Sequence, residues 1–294
     1  MQTRFFSKEE FNGRFGQEMA SAVSVYEQRK KSGLQDYSIA TYDFFFISDT
    51  KAKLESLGDF LKKNYDYKIN RPVDQGTDWE LTGEARGFPV DEQNLMYWAL
   101  DLYCKGYEFD CKLDGYGAMG DPKNQEFPDI EHKSADNYFD TAMEAYNKRN
   151  LGMAFINFSI AIKIDPKDPN SWYSRAIIRD ELRTWKSARR DYDQAIALAP
   201  DFVDAIVNRA ANKDEAGEYE EAVKDYTTAI NLEPKNAMAF FNRGNSKFNI
   251  NDRKGACEDW NKAKELGANY AAERIEKNCN QQTIGDKLKG FFKK

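Results

Sequence analysis

The spacing of apolar residues changes several times along the first 120 positions, and each change predicts an element. Ser7 and Glu10 make a capping-box pattern, and Phe11, Phe15, Met19, Val23 and Tyr26 then recur at near-helical spacing. They predict a helix over about 8–31, closed by Gly33. The stretch "YSIATYDFFFIS" reads as a buried strand over 38–48, and "DTKAKLESLGDFLKKNYD" as a helix with Leu54, Leu57 and Leu61 inward. "YKINRPV" and "DWELTGEARGF" predict two further strands, "DEQNLMYWALDLYCKG" a second helix, and "YEFDCKL" a last strand. The order β-α-β-β-α-β is that of a ferredoxin-like plait, a four-stranded α+β sheet with both helices on one face.

From residue 134 onward one period takes over. Pro166, Pro200 and Pro234 lie 34 residues apart, as do Ala154, Ala188, Ala222 and Ala256, and Ala161, Ala195, Ala229 and Ala263. Phe158, Tyr192, Tyr226 and Trp260 keep the same step. This pattern resembles the tetratricopeptide (TPR) repeat, and it places four repeats at 135–168, 169–202, 203–236 and 237–270. Tyr138, Trp172, Ile206 and Phe240 fill the family's first aromatic position, and Ala142, Ala176, Ala210 and Gly244 its small one. One helix pair cannot bury its own apolar face, so neighbours stack into an all-α superhelix. "NYAAERIEKNC" is expected as the capping helix, and "TIGDKLKGFFKK" as a frayed basic end or a partner segment. The expected domains are 1–125, a linker at 126–133 ("DPKNQEFPDIEHK" spans it), repeats plus cap at 134–280, and a basic tail at 281–294.

Two ladders run through the repeats. Arg175, Arg209 and Arg243 share the 34-residue step with Asp191, Asp225 and Asp259, whereas the first repeat has Thr141 and Asn157 instead. Arginine and aspartate appear and vanish together, which predicts a structural pair between the two helices of a repeat rather than an anion site. The resemblance implies that the ligand groove is lined by the first helix of each repeat. Those positions hold Phe139, Met143, Tyr173, Ile177, Val207, Asn208, Phe241, Asn242 and Asn245. Their apolar and amide character suits an extended or helical peptide; the alternative is that they contact the other domain of this chain.

Gly115, Gly117 and Gly120 spell G-x-G-x-x-G, a dinucleotide-binding fingerprint when a helix follows at once. Here Pro122 and Pro128 follow, and no helix starts. No cofactor is expected. The N-terminal helix, the helix opening on an aspartate in "FFFISDTKAKLESLGDFLKKNYDYKI", and "FDCKLDGYGAMGDP" resemble the regulator of ribonuclease E activity B (RraB) family over about 8–122. Asp114-Gly115-Tyr116-Gly117 corresponds to the family's Asp-Gly-Trp-Gly, with tyrosine for tryptophan, and the family's acidic tail is replaced by the repeats. The resemblance implies a protein inhibitor of an RNA-degrading endonuclease without catalytic residues. The glycines are then expected to form a turn off the sheet edge, with Tyr116 packing back.

Composition trims the remaining classes. The chain has 294 residues, 31% of them charged, with no apolar run near 18 residues and no apolar segment at its start, so neither a membrane span nor a secretory signal is expected. Cys104, Cys111, Cys257 and Cys279 lack a C-x-x-C and predict reduced thiols and a cytoplasmic protein. The single histidine, His132, is expected as a solvated linker residue, and no catalytic or metal set accompanies it. Residues 1–133 carry 24 acidic and 17 basic side chains, net −7, which disfavours direct nucleic-acid binding there. A non-catalytic interaction protein is expected, with a protein or peptide partner that includes a ribonuclease among the candidates. The alternatives are an immunity or antitoxin-like protein, and an enzyme using Glu80, Glu84 and Asp110 on the sheet.

Overall fold

In the computed structural model, residues 4–118, 126 and 133–279 are described. His132, Gly120, most of the expected linker and the basic tail lie outside them. The chain divides into two compact units, residues 1–166 and 167–294.

In the first unit, α1 (Lys8–Lys31) begins where the Ser7 side chain accepts the Glu10 N–H. The predicted 38–48 strand is two strands. β1 (Ser38–Ala40) pairs with β6 (Phe88–Val90) as a separate ribbon, and β2 (Tyr42–Ser48) enters the main sheet. That sheet has the order β3-β5-β2-β7, with β3 (Lys68–Ile69), β5 (Trp79–Glu84) and β7 (Lys112–Ala118), every neighbour antiparallel; β4 (Val73–Asp74) also pairs with β5. Strand alternation puts Tyr42, Phe44 and Phe46 into the core, where they meet the buried Leu54, Leu57 and Leu61 of α2 (Lys51–Tyr65) and the largely buried α3 (Glu92–Glu108).

Two further expectations change here. The last strand begins later than predicted, because α3 runs on to Glu108 and the chain reverses at Asp110, whose φ is +59°. The reversal is held by the Asp110 carboxylate, which accepts the N–H groups of Phe5 and Phe6 at 3.1 and 2.8 Å. The Asp114-Gly115-Tyr116-Gly117 segment is therefore strand, not turn. Gly115 and Gly117 pair with Phe45 and Asp43, and neither has a positive φ; the irregularity is a register shift between Phe45 and Phe46 that leaves Asp114 unpaired. Tyr116 does pack back, edge-on to Trp98 at 5.6 Å.

The first helix pair, α4 (Ala135–Asn147) and α5 (Leu151–Ile164), belongs to this unit rather than to the later repeats. Phe155 stacks on Tyr97 with centroids 3.8 Å apart, and the Tyr65 hydroxyl donates to the Arg149 carbonyl. Gly152 lets α5 approach α3 closely: a Cβ there would lie 3.0 Å from the Trp98 Cα. Its N–H donates to Asp101 Oδ2 at 3.1 Å, so a buried carboxylate sits at the start of α5. Burial, opposed by the Lys105 charge and the Gly152 N–H, raises the Asp101 pKa to about 6.

The second unit holds three helix pairs and a cap: α6 (Pro169–Glu181) with α7 (Trp185–Leu198), α8 (Val203–Glu215) with α9 (Tyr219–Leu232), α10 (Ala237–Asn249) with α11 (Arg253–Glu265), then α12 (Ala271–Asn278). Ala176, Ala188, Ala210, Ala222 and Ala256 are fully buried, as close helix crossing requires. The reduced-thiol expectation fails at one pair. Cys257 of α11 and Cys279 just past α12 form a disulfide, while Cys104 and Cys111 are free thiols. The support that four unpaired thiols lent to a cytoplasmic location falls away with it.

Candidate functional site

The arginine ladder is bonded as the pairing of residue types predicts. Arg175, Arg209 and Arg243 each grip the aspartate of the second helix with both ends of the guanidinium, at 2.8 and 2.9, 2.8 and 2.9, and 2.8 and 2.7 Å. A second cation, one turn further along the first helix, joins each carboxylate: Arg179 at 2.6, Lys213 at 2.7 and Lys247 at 2.9 Å. Sequence reading missed these second cations, although their 34-residue step was legible. Burial works against the Arg209 charge, but hydrogen bonds to Asp225 and Asp193 outweigh it and hold the group protonated. Geometry of this kind fixes the angle between two helices and leaves the aspartates committed.

A second polar ladder links successive pairs. Asp180 accepts the Tyr192 hydroxyl and the Asn212 amide, both at 2.7 Å, and Asp214 accepts the Tyr226 hydroxyl at 3.1 Å and the Ser246 hydroxyl at 2.7 Å. Burial raises both carboxyl pKa values despite these donors.

The expected groove residues fall into three groups. Tyr173, Ile177, Phe241 and Asn245 are half-buried on α6 and α10, with part of each side chain open. Asn208 donates to the Tyr173 hydroxyl at 3.1 Å, Asn245 accepts the Trp260 indole N–H at 3.1 Å, and Asn242 stands beside the Tyr226 hydroxyl. These amides are partly spent inside the unit. Val207 is a core residue at 3% exposure, packed with Ala210, Ala222 and Tyr226. Phe241 meets Tyr270 edge-on at 4.7 Å, and Met238 and Tyr270 beside this end are 50% and 56% exposed. Phe139 and Met143 lie on α4 of the first unit, Phe139 edge-on to Phe158 and Met143 exposed.

On the sheet, Glu80 and Glu84 share the half-exposed face with Asp43, Phe45 and Ile47, as strand alternation predicts. Glu84 pairs with Lys68 at 2.6 Å. Asp110 is occupied at its helix–strand corner, where Lys53 and the two N–H groups hold its pKa below the ordinary value although burial opposes them. The three carboxylates do not form one constellation. Among the described residues no group of three or more His, Cys, Asp or Glu side chains is placed to hold a metal ion, and no helix is long and apolar enough to cross a membrane.

Residues 215–251, from the end of α8 through α10, match the family model of the TPR repeat. This part of the chain carries a TPR repeat. Among solved structures, the chain is similar to YrrB, described as a TPR protein with an unusual peptide-binding site, at 19% identity over 61% of this chain and 82% of that one, TM-score 0.46. It is also similar to PilF of Pseudomonas aeruginosa (21% identity, 51% and 69% covered, TM-score 0.47). A third is the first TPR domain of Spaghetti (RPAP3) bound to an HSP90 peptide (23%, 40% and 93%, TM-score 0.39). No curated protein matches the chain. TPR repeats typically serve as non-enzymatic scaffolds for protein or peptide interaction.

Proposed function

We propose that this chain is a non-catalytic regulator that binds proteins through two surfaces. The TPR pairs of the second unit hold a peptide segment of a partner. The observation that carries this reading is the run of half-open apolar and amide side chains on first helices, Tyr173 and Ile177 on α6 and Phe241 and Asn245 on α10, ending at the exposed Met238 and Tyr270. Exposed aromatic anchors beside amides suit an extended or helical peptide.

The sheet of the first unit is read as a ferredoxin-like plait. Its order β3-β5-β2-β7, with α2 and α3 as the two crossovers, supports that reading. The RraB resemblance of residues 8–122 makes an RNA-degrading endonuclease the proposed target of this half. The carboxylates Asp43, Glu80 and Glu84 around Phe45 and Ile47 would meet a basic surface on such an enzyme.

The test is affinity purification of tagged protein from its own cells, followed by binding measurements with the purified partner. Phe241→Ala is expected to weaken capture through the repeats by about 1 kcal/mol or more. Unchanged affinity in Phe241→Ala and Tyr173→Ala together would remove the peptide-groove reading.

A further inference from the structure

The arginine ladder has a gap, and the gap coincides with a cleft. Each later pair directs two cations at one carboxylate, for example Arg209 and Lys213 at Asp225. The corresponding positions in α4 and α5, 68 residues earlier in each case, are Thr141, Ala145 and Asn157. Two long cationic side chains and an aspartate are replaced by a hydroxyl, a methyl and an amide. The flanking positions change in the opposite sense. Asp140 and Glu144 stand where the third pair has Asn208 and Asn212. Two cations and one carboxylate, net +1, thus become two carboxylates and no cation, net −2, over these five positions.

Two clefts, of about 320 and 440 Å³, adjoin this rung, and Thr141, Glu144 and Asn157 line both. The smaller extends to Tyr65 and Tyr67, the larger to Asp140 and Lys133. Asn157 is only 8% exposed. Its Nδ2 donates to the Met153 carbonyl at 2.8 Å, and no donor among the described residues reaches its Oδ1. Asn157 lines both clefts, so this oxygen can accept a donor from a ligand there. Thr141 Oγ1 donates to the Asn137 carbonyl at 2.8 Å, so what it offers the cleft is an acceptor. Three cations border the clefts: Arg86 pairs with Asp66, Lys133 lies over the Tyr138 ring, and the exposed Lys148 lines the smaller cleft one turn beyond Glu144. At the rung itself Asn157 Oδ1, Thr141 Oγ1 and the Glu144 carboxylate offer acceptors to both clefts.

We propose that this rung takes from a binding partner the arginine side chain it lacks. The same helix-pair frame holds an arginine at the equivalent place three times in this chain, always with Nε and Nη2 on the position that Asn157 fills here. A guanidinium brings five N–H donors in a planar fork and no acceptor, which complements Asn157 Oδ1, Thr141 Oγ1 and the Glu144 and Asp140 carboxylates. The site lies in the first unit and does not depend on the peptide groove of α6–α11.

The experiment titrates N-acetyl-L-arginine amide into the full-length protein, with the citrulline analogue as an uncharged isostere, and follows backbone and Asn side-chain amides by NMR. The arginine probe is expected to shift signals of residues 137–157, Asn157 Nδ2–H among them, with the citrulline analogue weaker by about ten-fold or more. Thr141→Arg with Asn157→Asp supplies the pair in cis; it is expected to raise the melting temperature and abolish the shifts. Glu144→Gln, at an exposed position, keeps the proposal testable should that double variant fail to fold, and is expected to weaken the arginine probe several-fold. Equal shifts from arginine and citrulline, shifts outside this segment only, or undiminished binding by Glu144→Gln would overturn the proposal.

Discussion

Arg209 holds Asp225 side-on, with Nε on Oδ2 at 2.8 Å and Nη2 on Oδ1 at 2.9 Å, while Lys213 reaches the same carboxylate at 2.7 Å. The pair is mostly buried, with the two side chains 20% and 10% exposed. Removing the arginine leaves a largely desolvated carboxylate with one partner. Arg209→Ala is therefore expected to destabilise the fold by about 2 kcal/mol, below the full cost of an orphaned buried charge because Lys213 remains. Thermal melts and partner titration together check it. An unchanged melting temperature with lost partner binding would make the ladder a ligand site instead.

Asp101 gives the first unit a pH dependence. Its folded pKa is about 6 against 3.8 for the ordinary carboxyl, so the folded chain holds the proton more tightly than the unfolded chain. Stability from this group is complete below pH 4 and is lost as the pH rises through 6, a change of up to about 3 kcal/mol. Asp101→Asn, which keeps an acceptor for the Gly152 N–H, is expected to flatten the stability profile between pH 4 and 6 in urea titrations. An equally steep profile in the variant would assign the slope to other groups.

The Cys257–Cys279 disulfide ties the cap to the last pair, across a sequence separation of 22 residues. Under it lie Trp260, Ala263, Ala268 and Ala271. Reduction, or Cys279→Ser, is expected to cost about 3 kcal/mol by loop entropy and to speed amide exchange in 271–278. Identical exchange with and without reductant would show that packing alone holds α12.

Gly115 and Gly117 lie in a paired strand, so the loop geometry a pyrophosphate needs is absent from the described part of the motif. Calorimetry with NAD and with ATP at millimolar concentration is expected to show no binding. A micromolar affinity abolished by Gly117→Val would reverse that conclusion.

The repeats were legible because the rungs repeat the same demands: small residues at the helix crossing, an aromatic against them and, in the first three, a proline past the second helix. Even the reversals recur, since Arg149, Arg183, Gly217 and Asn251 stand 34 residues apart and all have left-handed φ. The sheet was legible in element order but not in its limits. Tyr107 and Glu108 extend a helix where their neighbours looked like strand, and glycines that usually mark turns sit at a strand irregularity. The disulfide had no signature, because a helix that packs back brings its two cysteines together. Val207 looked like groove from register alone, yet the packing of α8 on α9 covers it. The gap at Thr141 and Asn157 was visible as missing letters; that it adjoins a cleft depends on Ala145, which no periodic argument singled out.

The Asp180–Asn212 and Asp214–Ser246 links run in one direction, each aspartate reaching forward to the following pair. In the last pair the equivalent position is Phe248, and its ring lies 5.7 Å from that of Trp260, which replaces the linking tyrosine. A fifth pair spliced in after Glu265 would find the phenyl ring of Phe248 where its own polar residue seeks a carboxylate. One inserted between the second and third pairs would find the aspartate waiting. For anyone lengthening this scaffold, the permitted splice points are interior, and the grammar that forbids the end is two aromatic residues long.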